Sequence, residues 1–291
     1  MLDAADLTAA EQTAATYYNS DDADQFYAHV WGGEDIHIGL YEGDHECIAA
    51  ASRRTVEALA RLIGPLEPGS VVVDLGSGYG GAARYLASTH QLRVEAVNIS
   101  SVENDRHRTL NHRSGLQGLI RVHDASFEAV PLPNGCADVV WSQDAILHAG
   151  DRQQVLREAA RLLKPGGVLV FTDPMAADGV TTTDLSAILQ RIHLADLGSP
   201  DRYCSWGASV GLEREVWDEQ TAMLVRHYTR VHEELLRRTS ELKVVISIDY
   251  MQRMAAGLQH WIDGGESGRL SWGLMRFRKR PLDCLVLGGG E

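Results

Sequence analysis

A doubly wound α/β fold with a largely parallel sheet is predicted by three observations. Short apolar runs alternate with helix-like segments between residues 65 and 175. The first run, Val71–Val72–Val73–Asp74–Leu75, passes directly into a glycine-rich stretch, Gly76–Ser77–Gly78–Tyr79–Gly80–Gly81, and then into a helical pattern. Hydrophobic residues make up 44 % of the 291 positions, enough for a full core with an insertion.

The elements follow in order. Residues 7–30 read as one helix, with Leu7, Ala10, Ala14, Tyr17 and Tyr18 at helical spacing. Gly32 and Gly33 mark a loop within Val30–Tyr41. Residues 48–63 form an amphipathic helix, which GPLEPG ends. VVVDLGSG reads as a buried parallel strand, LRVEAVNIS as a second, LIRVHDAS as a third and CADVVWSQDA as a fourth. Helices lie between them in GGAARYLAST and VENDRHRTLNHRSG. After DRQQVLREAARLL, KPGG stops the helix and VLVFTDP is the fifth strand. Residues 176–240 read as helical, as does most of ELKVVISIDYMQRMAAGLQHWIDGG. LSWGLMRFRKR alternates like a closing edge strand. The expected organisation is an N-terminal helical lid over 1–64, a Rossmann-like core over 65–175, a helical cap with the substrate region over 176–245, and a final helix and closing strand over 246–291.

Charge narrows the partners. The net charge is −13, and residues 1–46 carry eleven acids and no Lys or Arg. Such a leader disfavours nucleic acid and anionic membranes. It is a solvated segment or an acidic lid beside a cationic cofactor. No apolar run reaches the ~18 residues of a membrane span. Four dispersed cysteines, Cys47, Cys136, Cys204 and Cys284, without a C-x-x-C, suggest reduced thiols in the cytoplasm. Neither His107/His112 nor His227/His232 has the spacing of four that puts two ligands on one helical face, so no metal is expected.

The glycines alone do not choose a cofactor, because Gly76, Gly78 and Gly81 also satisfy the dinucleotide G-x-G-x-x-G spacing. Asp74 and Asn98 choose. A carboxylate at Asp74 would repel a pyrophosphate but can hold the ammonium of S-adenosylmethionine. Asn98 stands where an NAD site carries Asp or Glu, yet its amide can bond ribose hydroxyls. Ser77 and Ile99 belong to the same expected site. Asp124 and Ala125, closing the third strand, are placed near the adenine, with Asp124 accepting from its amino group.

The motifs VVVDLGSGYGG, NIS, HDASF, WSQDAILHAGDR and LLKPGG resemble the successive motifs of class I methyltransferases. YYNSDDADQFYAHVWGGEDIHIGLY, FTDPM, HYTRVHEEL and GLQHWIDGGESGRLSWGLMRFRK make the chain similar to the bacterial sarcosine/dimethylglycine N-methyltransferases, from about Tyr17 to Lys279. The resemblance implies nitrogen methylation of a small amino acid towards glycine betaine, with S-adenosylmethionine as donor, by a monomer or homodimer. It departs at Cys204, where an arginine is expected after Tyr203.

Transfer from a sulfonium is an in-line displacement, so positioning and exclusion of water dominate. His148 and Asp173 follow the fourth and fifth strands at the rim where ligands sit in such sheets. His148 is the candidate to take the amine's proton or hold the substrate, and Asp173 to attract its ammonium. Both residue types also serve in packing or turns. Gln143 and Asp144 are assigned to the sulfonium side or to the loop itself. Tyr17, Tyr27 and Trp31 are candidates to close over the cofactor through cation–π contact, or else to pack the first helix. Arg202, Tyr203 and Trp206 are the candidate substrate contacts, with Arg226, Arg230 and Arg276 as further partners for a carboxylate. Two other readings remain open at this point: an O- or C-methyltransferase acting on a larger lipid or sugar acceptor, and an inactive ligand-binding relative.

Overall fold

The structure, a computed structural model, describes residues 8–43, 45–191 and 194–281. Leu7 and Cys284 therefore lie outside the described residues. The chain enters through α1 (Ala9–Tyr18), α2 (Asp21–Phe26) and a π-helical turn, Tyr27–Trp31. The single helix expected over 7–30 is broken at Asn19–Ser20. Ser20 turns out of the helix to cap α2, its hydroxyl accepting from the Ala23 N–H at 3.3 Å. Apolar spacing ran on through the break, but the cap ended the helix.

Next come α3 (Ile48–Ile63), β1 (Val71–Leu75), α4 (Gly81–His90), β2 (Arg93–Asn98), α5 (Ser101–Arg113), β3 (Ile120–Asp124), β4 (Ala137–Gln143), α6 (Arg152–Leu162) and β5 (Leu163–Thr172). They are followed by β6 (Met175–Ala176), α7 (Ser186–Arg191), α8 (Pro200–Ser209), β7 (Leu212–Glu219), α9 (Thr221–Leu242), α10 (Ile248–Glu266), β8 (Leu270–Ser271) and β9 (Gly273–Lys279). A seven-stranded sheet has the order β3-β2-β1-β4-β5-β9-β7. β1 to β5 run parallel, and β9 runs antiparallel to both β5 and β7. The order reverses between β1 and β4, which opens a crevice at their carboxyl ends.

Alternation along the strands makes two cores. Val72, Val94, Val139, Trp141 and Val170 pack towards α3 and α4. Val73, Val97, Val140, Phe171 and Phe277 pack on the other face, with α6 and Tyr203. A third cluster joins Phe26, Tyr27 and Trp31 to α9 and α10. It forms the cap over the crevice.

The stretch 176–240 is not helical throughout, and β9 is not the edge. LEREVWDE extends because β9 offers it a partner, with Leu212 opposite Lys279 and Glu219 opposite Gly273. The two strands carry complementary charge: Glu215 pairs with Arg276 at 2.5 Å and with Arg278 at 2.6 Å. Partly exposed pairs of this kind are worth ~0–1 kcal/mol, so they bear on register more than on stability.

An interior β9 has a measurable consequence. Phe277 has no exposed surface and lies parallel to Phe171, with ring centroids 6.0 Å apart. Phe277→Ala is expected to lose about 3–5 kcal/mol in urea unfolding. A true edge position facing solvent would lose no more than ~0.5 kcal/mol.

Candidate active site

The crevice holds two adjoining compartments. One lies over the carboxyl ends of β1, β2 and β4, and the other beneath the cap. They share Ala14, Tyr18, Ile36, His37, Asp144 and His148.

The first compartment is built by the glycine loop. Gly76 has φ +77°, and a Cβ there would lie 2.3 Å from that of Ala145. A Cβ on Gly81 would meet the Asp35 carboxylate at 2.0 Å. No side chain fits at either place, and the backbone hugs the space a ligand would take. Gly76 and Ser77 donate their N–H groups to the Val97 carbonyl at 2.8 and 3.2 Å, which anchors the turn to β2. Asp74, Gly76, Ser77, Gly78, Asn98, Ile99 and Gln143 all line this compartment.

Its electrostatics suit a cationic ligand. Burial without an adjacent cation pushes the Asp74 carboxyl up to about 7. Burial likewise pushes Glu103 up to about 7, against the Asn98 amide that donates to it at 2.9 Å. Glu103 was not foreseen. It follows Ser100 by three residues, and its N–H bonds the Ser100 hydroxyl, so it reads as an ordinary helix-start acid. An acid in the first turn after the second strand was the available signal. Asn98 donates its amide to Glu103, and both side chains line the compartment. Asp35 Oδ1, His37 Nε2 and Gln143 Nε2 are buried against the cavity without a hydrogen-bond partner. Buried polar atoms of this kind require a ligand or water.

Several expected contacts lie elsewhere. Asp124 and Ala125 do not line the compartment: the Asp124 carboxylate accepts from Asn104 at 2.8 Å and from Arg108 at 2.5 Å, and Ser126 and Phe127 reach the cavity instead. Tyr27 and Trp31 face the second compartment, not the cofactor side. Asp173 is fully buried and lines neither compartment. One of its oxygens accepts the Leu147 N–H at 2.9 Å and the other the Tyr203 hydroxyl at 2.6 Å, so it holds the turn that carries His148. Tyr203 is spent on that bond inside the core. Arg202 pairs with Asp196 at 2.7 Å and stacks over Trp206 at 4.7 Å. α8, which carries Arg202, Tyr203 and Trp206, packs on α6 and the sheet, away from the cap. Arg226 lies over Tyr41, Arg230 pairs with Glu233 and Arg276 with Glu215; none of them lines the second compartment.

That compartment is aromatic. Tyr17, Tyr18, Tyr27, Trp31, Tyr228 and Trp261 form its walls. Tyr228 and Trp261 stack at 5.4 Å. At the junction the His148 Nε2 and the Tyr18 hydroxyl are 3.0 Å apart. Burial, with Arg152 adding to it, pushes His148 down to about 4, so its ring is neutral. Among the described residues no cluster of His, Cys, Asp or Glu could hold a metal ion.

Comparison with known proteins agrees with this architecture. A methyltransferase-domain family model matches residues 73–171. The chain is 64 % identical to the dimethylglycine N-methyltransferase of Parasynechococcus marenigrum, over 93 % of this chain and 97 % of that one. It is 51 % identical to the sarcosine/dimethylglycine N-methyltransferase of Halorhodospira halochloris, over 92 % and 96 % respectively. The crystal structure described as a putative sarcosine dimethylglycine methyltransferase from Galdieria sulphuraria superposes with a TM-score of 0.86 at 43 % identity, covering 91 % of this chain and 99 % of that one.

The raised carboxyls predict a pH dependence. A ligand cation beside Asp74 favours its ionised form, so binding is linked to loss of the proton. S-adenosylmethionine affinity should therefore fall as the pH drops through 7, by up to about tenfold per unit for each carboxyl that must ionise. Asp74→Asn should lower affinity at pH 8 and flatten the slope to what Glu103 leaves. Calorimetry at pH 6, 7 and 8 measures both, and a flat wild-type profile would contradict the assignment.

Proposed function

Since the chain belongs to the sarcosine/dimethylglycine N-methyltransferases, a family of class I methyltransferases, we propose that it methylates sarcosine and dimethylglycine on nitrogen towards glycine betaine. It is an S-adenosylmethionine-dependent enzyme, and the cofactor supplies a methyl group activated by its sulfonium. The role of the product as an osmolyte is part of the proposal. So is a cytoplasmic monomer or homodimer with a small-molecule amine and no nucleic acid as partner. The free Cys47, Cys136 and Cys204 and the net charge of −13 support that reading. No helix among the described residues is long and apolar enough to cross a membrane.

The observation that carries the substrate reading is the aromatic compartment, which opens onto the cofactor side at Tyr18 and His148 and has no Lys or Arg among its described lining residues. Aromatic faces attract an ammonium by ~0.5–2 kcal/mol each, and they tolerate the quaternary nitrogen that the last methylation forms. Asp74 and Glu103 are assigned to the cofactor's ammonium and ribose, and the Gly76–Gly78 backbone to its close approach. The helix α1 contributes Ala14 and Tyr18 to the roof over both compartments and so excludes water. A larger lipid or sugar acceptor would need a wider mouth, and an inactive relative would have no reason to keep the glycine turn.

The magnitude of the proton problem bears on the role proposed for His148. An alkyl ammonium titrates near ~10, as lysine does. A ring that burial pushes down to about 4 is a poor acceptor for that proton. We therefore assign His148, with Tyr18, to holding the free amine's orientation, and the proton leaves before the amine docks.

Two outcomes follow. With labelled cofactor, dimethylglycine and sarcosine should be methylated and glycine poorly, each missing methyl costing roughly 1 kcal/mol or somewhat more. Glycine as best substrate, or efficient transfer to a sterol or phenol, would overturn the reading. His148→Ala should lower kcat roughly tenfold, the worth of one positioned hydrogen bond, and leave cofactor affinity intact. It should also keep the wild-type rise of rate with pH, whereas loss of a true base would cost roughly 10²–10⁴ and reshape that profile.

A further inference from the structure

The proposed substrates carry a carboxylate, which in a buried site wants donors or a cation. None of the described residues lining the aromatic compartment is a lysine or arginine. Two phenol hydroxyls of its lining, however, those of Tyr17 and Tyr27, meet on a wall that the first compartment does not share, and that of Tyr250, outside the lining, backs Tyr17. They come from three separate elements: Tyr17 on α1, Tyr27 in the π-helical turn and Tyr250 on α10. The Tyr17 and Tyr27 oxygens are 3.4 Å apart, and the Tyr250 hydroxyl donates to that of Tyr17, also at 3.4 Å. A well-made O–H···O bond is near 2.7–2.8 Å. These three hydroxyls therefore face each other at the outer limit of bonding, a spacing that a shared acceptor between them would close.

Their position fits the substrate's far end. Tyr18 lines both compartments and meets His148 at the junction, whereas Tyr17 and Tyr27 line only the aromatic one. The rings of Tyr17 and Tyr18 are 5.0 Å apart.

Resting on the reading above, we infer that the Tyr17 and Tyr27 hydroxyls, backed by that of Tyr250 and without an arginine, form the carboxylate subsite that selects glycine derivatives over other tertiary amines. Neutral donors suffice because the last product is a zwitterion that brings its own cation. A guanidinium close by would add repulsion to a nitrogen becoming quaternary beside a sulfonium. The alternative is Arg253, which is exposed, lies over the Tyr250 ring at 6.0 Å and lines the outer cavity on the far side of Tyr17 and Tyr250, not the aromatic compartment.

Glycine betaine and choline share the trimethylammonium and differ in the carboxylate. Their affinities are measured by calorimetry with S-adenosylhomocysteine present, for the wild type, Tyr17→Phe, Tyr27→Phe and Arg253→Gln. The wild type should prefer betaine. Each tyrosine variant should lose roughly 10- to 100-fold for betaine while choline stays unchanged. Each should also raise KM for dimethylglycine more than it lowers kcat. Arg253→Gln should keep the preference. Thermal melts identify a variant that fails to fold, and the other tyrosine variant then decides. Unchanged betaine affinity in the folded variants, a parallel fall of both ligands, or a loss confined to Arg253→Gln would overturn the subsite. A wild type that transfers no methyl to dimethylglycine would remove the underlying reading as well. An active wild type with insensitive tyrosine variants would remove the subsite alone.

Discussion

Asp144 is the point on which the site's geometry hangs. It sits at the end of the fourth strand with φ +49°, an uncommon backbone for a residue other than glycine, and its own N–H donates to the Thr172 carbonyl at 2.8 Å. One carboxylate oxygen accepts the Ile38 N–H at 2.7 Å and the other the Trp272 indole N–H at 2.8 Å. A single half-buried side chain thus ties two distant parts of the chain to the rim of the sheet: the N-terminal segment at Ile38 and the turn into the last strand at Trp272. Both compartments take their shared wall from the N-terminal segment and from the loop that carries Asp144 and His148. The strain at φ +49° is tolerated because the surrounding bonds over-determine it.

Around that hub the protein accumulates buried carboxyls without cations. Asp74 and Glu103 are pushed up to about 7 and Asp35 to about 6, each chiefly by burial. Only Asp35 has an ion-pair partner, Arg53 at 2.8 Å. Such groups are costly in the empty protein and become favourable once a positive ligand fills the cavity. The acid-rich entry segment therefore contributes to the site itself, since Glu11, Glu34 and Asp35 all line the cofactor compartment. Asp173 is also pushed up to about 7, yet it is spent on Tyr203 and Leu147. A raised carboxyl at a rim marks a ligand site only when the cavity reaches it.

Division of labour between the two compartments follows from chemistry. The cofactor side offers carboxylates, backbone and amides to a polar cation. On the proposed reading, the acceptor side offers ring faces, hydroxyls and a neutral histidine to a nitrogen that gains methyl groups. Aromatic residues from α1, the π-helical turn, α9 and α10 meet there, so the compartment exists only when entry segment and cap are packed together.

The alternation of apolar runs and helices, and the strand–glycine–helix passage at Val71–Gly81, determined the parallel sheet and the glycine-lined wall of the first compartment, because both depend on neighbours in the chain. Asp74, Gly76, Gly78 and Asn98 were legible for that reason. Tertiary structure alone decided whatever depends on pairing across distance. β7 is a strand because β9 lies beside it, and its own residues alternate too weakly to say so. Glu103 carries no mark in the sequence beyond its place in a first helical turn, and it is its burial against the cavity that singles it out. Asp173 and Tyr203 lie at a rim and on a helix that promised substrate contact, but they bond each other, and that reciprocity is invisible to spacing. Arg202 and Trp206 went with them, since the orientation of α8 is set by packing against α6. Sequence spacing states what is near along the backbone. Which side of a helix faces a cavity is a property of what that helix is packed against.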